Sequence, residues 1–137
     1  MTVTLLDTGP IVALLDTSEE NHTACVEALD GISGALVTCE PVITEACYLL
    51  RNVHGAPAAI LRNVRDGVFQ IPFVLAPEAD AIAKLLDKYR TVPMDLADAC
   101  LVRLAELTGT GRIFTLDGDF EIYRWRGRKR FDLVMDR

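Results

Sequence analysis

The chain has 137 residues, half of them hydrophobic and a quarter charged, with a net charge of −6. That composition is globular, and the length suits one domain, expected to span residues 1–137. It excludes a disordered chain and a globally basic nucleic-acid coat, and no apolar run approaches the ~20 residues of a membrane helix.

Val3 to Leu6 is a short β-prone run that stops at Asp7-Thr8-Gly9-Pro10. Met1 to Asp7 holds no Lys or Arg, and Asp7 interrupts its apolar stretch, so no signal peptide is expected. Ile11 to Leu15 predicts a first helix begun by Pro10. Thr17-Ser18-Glu19-Glu20 has the form of a capping box and predicts a helix to about Leu29. Ala35 to Thr38 reads as a second strand, buried on both faces. Pro41 starts a helix to about Val53, and another follows Pro57 and ends near Gly67. Val68 to Ile71 is a third strand, and Pro77 to Tyr89 a helix. Asp95 to Leu107 is a strongly apolar helix closed by Gly109 and Gly111. Arg112 to Leu116 is a fourth strand. A polar turn and a basic segment follow, and Phe131 to Met135 is the last strand.

Strands alternate with helices and are apolar without period-2 alternation. That predicts an α/β fold: a mostly parallel central sheet covered by helices on both faces. The four cysteines (Cys25, Cys39, Cys47 and Cys100) form no C-x-x-C and are not spaced with His22 or His54 as zinc ligands. They read as buried free thiols, which fits a reducing, cytoplasmic location.

Ligands of open α/β sheets bind outside the carboxyl ends of the strands. Two strands end in aspartate at that edge, at Asp7 and Asp117. Capping alone explains an aspartate after a strand, but less adequately when it happens twice. Glu45 falls about 40° outside the apolar arc of its helix, which places it at the core margin. Asp95 and Asp98 open the most apolar helix. Asp95 as N-cap is explained by capping; Asp98 is explained that way only if it faces the helix end. Two carboxylates ~5 Å apart repel by roughly 3 kcal/mol at an effective dielectric of ~20. Four converging at one rim need protons, cations or a metal, and no Lys or His lies within three residues of any of them. Hard, oxygen-loving Mg²⁺ or Mn²⁺ is the remaining answer. Such ions suit phosphodiester hydrolysis.

These residues resemble the PIN-domain ribonucleases, and in size the chain is similar to the VapC toxins of VapBC toxin–antitoxin modules. The resemblance rests on Leu5-Leu6-Asp7-Thr8-Gly9-Pro10, Thr44-Glu45-Ala46, Met94-Asp95-Leu96-Ala97-Asp98-Ala99 and Ile113-Phe114-Thr115-Leu116-Asp117-Gly118-Asp119-Phe120. It implies a three-layer α/β/α sandwich and an acidic site for Mg²⁺ or Mn²⁺. It also implies cleavage of single-stranded RNA or a structured RNA loop, a cognate antitoxin and a homodimer. The family's acids fall on Asp7, Glu45, Asp98 and Asp117, as catalytic and metal-binding residues. Asp119 matches an additional acid of the metal site. Thr8 and Thr115 match supporting hydroxyl residues, and Asp95 is a further supporting position.

Rival readings remain open at this point. A haloacid dehalogenase-type phosphatase also places an Asp after its first strand, but it wants a second Asp where Gly9 stands and a lysine near the later acids. A PIN-fold RNA-processing nuclease, or a non-catalytic RNA- or protein-binding module, shares the fold. The basic segment has two readings. Arg124, Arg126, Arg128, Lys129 and Arg130 are RNA-binding, with Tyr123 and Trp125 stacking on bases. Alternatively they form a solvated turn, and alternation in an extended segment sends the aromatics into the core.

Overall fold

The computed structural model describes residues 2–135. In chain order the elements are β1 (Val3–Leu6), α1 (Thr8–Leu15), α2 (His22–Asp30), β2 (Ala35–Val37), α3 (Glu40–Leu49), α4 (Ala56–Arg65) and β3 (Phe69–Gln70). Then come α5 (Leu75–Lys88), α6 (Leu96–Thr108), β4 (Arg112–Phe114), a 3₁₀ turn (Gly118–Glu121), β5 (Arg124–Trp125), β6 (Lys129–Arg130) and β7 (Asp132–Leu133). The main sheet has the order β3-β2-β1-β4-β7, and every pairing in it is parallel. The expectation of a mostly parallel sheet is met in its strictest form.

β1 lies at the centre, and Thr4, Leu5 and Leu6 are all fully buried. Consecutive buried residues in a strand mean that both faces are covered, so the architecture is three-layered, α/β/α. Among the described residues no helix is long and apolar enough to cross a membrane.

The parallel sheet positions the site. All its strands end at the same edge, and β1 and β4 are neighbours paired Leu5 to Ile113 and Leu6 to Phe114. Asp7 and Asp117 therefore leave the sheet side by side. Only residues 109–111 join α6 to β4, so the C-terminus of α6 meets the start of β4. The N-terminus of α6, with Asp98, then returns to the carboxyl edge.

Several boundaries differ from the sequence reading for physical reasons. α1 starts at Thr8, because Asp7 caps it: Asp7 Oδ1 accepts from the Thr8 N–H at 2.8 Å. The expected capping box at Thr17–Glu20 does not form, and α2 starts at His22. Asp16 instead accepts from the N–H of Ser18 at 3.0 Å and from its hydroxyl at 2.6 Å, which holds the segment as a turn. α3 ends at Leu49, short of Val53, and the chain turns through Gly55 at φ 78°. Three cysteines are buried as expected, but Cys47 is only partly so.

The basic segment is a two-stranded antiparallel ribbon, β5–β6. Its aromatics face inward: Tyr123 is fully buried and Trp125 nearly so. Phe120 packs edge-on against Tyr123 (centroids 5.1 Å) and Phe131 (5.3 Å). Gly111 makes room for the indole, since a Cβ there would sit 2.2 Å from Trp125 Nε1. Stacking of Tyr123 and Trp125 on bases is therefore overturned; their rings are core.

Candidate active site

Three carboxylates meet at the carboxyl edge. Asp7 arrives from the end of β1, Asp117 from beyond β4 and Asp98 from the first turn of α6. One oxygen from each lies within 4.8 Å of the others. Asp7 and Asp98 are buried, and Asp117 is partly so.

Each is held by a donor. The Thr115 hydroxyl donates to Asp7 Oδ2 at 2.7 Å, while the Thr8 N–H holds the other oxygen. Thr115 Oγ1 in turn accepts from the Asp117 N–H at 2.9 Å, which ties the two strand ends together. The Asp119 N–H donates to Asp117 Oδ1 at 2.9 Å. The Tyr123 hydroxyl donates to Asp98 Oδ2 at 2.9 Å. Asp95 caps α6 by accepting from the Asp98 N–H at 2.8 Å, as capping predicts.

The electrostatics record the strain of gathering these charges. Burial pushes the Asp7 carboxyl up to about 6, against its hydrogen bonds from Thr115 and Thr8, with the charges of Asp117 and Glu45 adding to the rise. Burial, then the charges of Asp95 and Asp7, push Asp98 up to about 8, while the Tyr123 hydrogen bond opposes the shift. Burial and the charge of Asp98 hold the Tyr123 phenol far above its ordinary value, so it stays protonated and remains a donor.

Glu45 is exposed on α3, not at the core margin, yet it lines the same cleft and its charge reaches Asp7. Asp119 contributes through its backbone; its carboxylate stands outside the group of three. Two residues escaped the sequence reading. Glu19 lines the cleft from the turn before α2. Tyr123 reaches Asp98 from 25 residues away, and no spacing rule links the two. The basic ribbon does not line the cleft: among the described residues no Lys, Arg or His does.

The donor set fits a hard divalent cation. It offers close-set carboxylate oxygens, nearby Asp95 and Glu45, and Thr8 Oγ1, which is buried without a hydrogen-bond partner among the described residues.

The model of the PIN domain matches residues 4–125. The chain belongs to the PIN-domain family. This PIN domain is 32% identical over 133 residues to Ribonuclease VapC26 of Mycobacterium tuberculosis, covering 95% of this chain and 98% of that protein. Its fold is similar to the crystal structure of Mycobacterium tuberculosis VapC20, a Sarcin-Ricin loop cleaving toxin. The TM-score is 0.79 at 19% identity, over 88% of this chain and 94% of the other, and this likeness concerns the fold.

Proposed function

We propose that this chain is a single-domain, metal-dependent endoribonuclease and the toxin of a toxin–antitoxin pair. It cuts single-stranded RNA or the exposed loop of a structured RNA. The observation that carries the reading is the trio Asp7, Asp98 and Asp117, with oxygens within 4.8 Å in a cleft that, among the described residues, supplies no basic side chain. Likeness to a named ribonuclease over nearly the whole chain supports the RNA substrate, and likeness to a loop-cleaving toxin supports the loop. Among the described residues no lysine lines the cleft, which leaves the phosphatase reading without its expected cation.

Asp7, Asp98 and Asp117 would hold Mg²⁺ or Mn²⁺, with Asp119 and Glu45 next to them. The ion supplies an acidified water at neutral pH and charge stabilisation for the departing oxygen. The protein does the rest. Thr115 and the Thr8 N–H fix both oxygens of Asp7. Tyr123 fixes one oxygen of Asp98 and leaves the other for a ligand. Glu45 lines the cleft with an exposed carboxylate, which would accept the proton of the attacking water. Among the described residues the cleft lining holds no Ser, Cys or His, so water would attack phosphorus directly, without a covalent intermediate.

The partner reading rests on a groove of about 740 Å³ beside the cleft. Tyr48, Val74, Leu75 and Leu96 line it and are exposed, and it shares Glu45 and Asp95 with the site. Exposed apolar area of this kind marks an interface, and a homodimer that also binds a small antitoxin would cover it. The buried thiols fit a cytoplasmic setting.

The deciding experiment is RNA cleavage by metal-stripped protein, with Mg²⁺ or Mn²⁺ added back, beside calorimetric titration of Mn²⁺. Cleavage undiminished in excess chelator overturns the mechanism. An antitoxin-like frame next to the gene separates a toxin from an RNA-processing nuclease.

A further inference from the structure

Among the described residues the cleft gives an RNA phosphate nothing cationic to hold. Asp7, Glu19, Glu45, Asp95, Asp98 and Asp117 line it. Outside residues 124–130 the chain carries nine basic residues against 20 acidic ones, a balance of −11. Such a body repels a polyanion, so affinity for RNA has to come from another surface.

The ribbon β5–β6 is that surface, but only part of it is available. Arg124 folds back onto the carbonyls of Glu121, Ile122 and Tyr123 at 2.8–3.0 Å. Arg126 donates from its side chain to the Glu106 carbonyl and from its N–H to the Glu106 carboxylate, both at 2.8 Å. These two arginines hold the ribbon in place. Arg128, Lys129 and Arg130 are exposed, and among the described residues their side chains make no ion pair or hydrogen bond. Lys129 lies over the Trp125 ring at 4.8 Å. Arg130 stands directly opposite Arg124 in the ribbon. Like charges placed so are unfavourable, and among the described residues no ion pair compensates Arg130 for it.

Their location matters more than their number. Arg126 grips Glu106 near the last turn of α6, whereas Asp98 lies in its first turn. Eight residues at a rise of 1.5 Å separate the two levels by about 12 Å. Trp125 packs on Gly111 just before β4, at the amino edge of the sheet, and the carboxylates gather at the carboxyl edge. The free cations and the acids therefore occupy opposite ends of α6.

We propose that Arg128, Lys129 and Arg130 form an exosite for the RNA backbone, separate from the cleft, that holds phosphates several nucleotides from the cleaved linkage. This rests on the nuclease reading above and narrows its substrate class. At ~3.4 Å per stacked step, an axial offset of about 12 Å corresponds to roughly four steps, so the preferred substrate is an RNA whose backbone continues at least that far past the cut linkage, as the stem of a stem–loop does. The ribbon's aromatic rings are buried, so the exosite contacts phosphate and contributes affinity without base preference.

The test uses the full chain and its Arg128→Gln/Arg130→Gln variant, with Arg62→Gln/Arg90→Gln as a charge-matched control elsewhere on the surface. Fluorescence anisotropy in EDTA measures binding of a labelled RNA stem–loop across a salt series. Cleavage with Mn²⁺ is then compared on the stem–loop and on the trinucleotide spanning its cut linkage. The ribbon variant is expected to flatten the log–log salt slope by about 1.4 to 1.8, two contacts at ~0.7 each on single-stranded or ~0.9 each on paired backbone, with the control unchanged. Its KM should rise on the stem–loop only, and its turnover of the trinucleotide should match wild type. An unchanged slope, an equal change in the control, or a parallel loss on the trinucleotide overturns the exosite. Stem–loop binding that depends on the ribbon, with no cleavage by the wild type, rejects the nuclease reading and leaves the exosite standing.

Discussion

The Tyr123 hydroxyl and the Asp98 carboxylate lie 2.9 Å apart, joining the segment between the 3₁₀ turn and β5 to the first turn of α6. The phenol is fully buried and packs edge-on against Tyr89 and Phe120, with centroids at 5.1 Å in each case. Its position is set by packing, so it fixes the carboxylate and not the reverse. Residues that orient metal ligands in this way typically change metal affinity by 10- to 100-fold when lost. Tyr123→Phe is therefore expected to weaken Mn²⁺ binding by about tenfold while leaving the fold in place. Isothermal titration measures it, and an unchanged dissociation constant would show that the bond does not position Asp98.

Asp7→Asn separates catalysis from stability. The substitution removes one of three crowded carboxylates and keeps an acceptor for the Thr8 N–H. RNA cleavage should fall to background. The melting temperature of the metal-free protein should stay equal or rise, because a buried charge and its repulsion from Asp117 and Glu45 are gone. Near-wild-type cleavage removes Asp7 from the site, and a large drop in melting temperature rejects the repulsion argument.

The same crowding predicts an unusual pH dependence. Asp7 is raised from 3.8 to about 6 and Asp98 from its ordinary range to about 8. For acids raised by folding, the stabilising contribution is complete below the unfolded value near 3.8 and is lost as pH rises through the folded values. For Asp7 alone the loss is about 3 kcal/mol. Without metal, the protein should therefore become less stable between about pH 5 and pH 8, and Mn²⁺ should restore it most at the alkaline end. Metal binding should tighten over the same window, because the ion competes with protons for these carboxylates. Thermal melts across that range, with and without Mn²⁺, test both halves. A metal-free stability that climbs with pH contradicts the assignment.

Val74 is 67% exposed in the groove beside the cleft. Val74→Asp places a charge where the proposed interface is apolar, and should convert a dimer to a monomer at tens of micromolar with the monomer's melting temperature little changed. Light scattering reads the mass. A wild type that is already monomeric removes the dimer reading.

Much of the architecture was legible because it is written in local pattern. β1, β2 and β4 are short apolar runs with no alternation, as strands covered on both faces must be. Asp7 and Asp117 follow two of them directly, and parallel strands deliver such residues to one edge. Asp98 stood out as an acid in a helix apolar nearly all round. What the tertiary structure alone decided depends on packing between distant segments. Asp16 captured Ser18 and displaced the expected cap of α2, because a two-residue turn competes with a helix start on nearly equal terms. Glu45 turned out exposed, since its helix packs through Val42, Ile43 and Ala46 and leaves the adjoining face to solvent. Tyr123 came to Asp98, and the arginines to the far end of α6, only once the ribbon had paired. A one-residue change in that register would reverse which side chains enter the core. Composition determined that five cations crowd into seven residues; only the fold determined that they lie away from the acids.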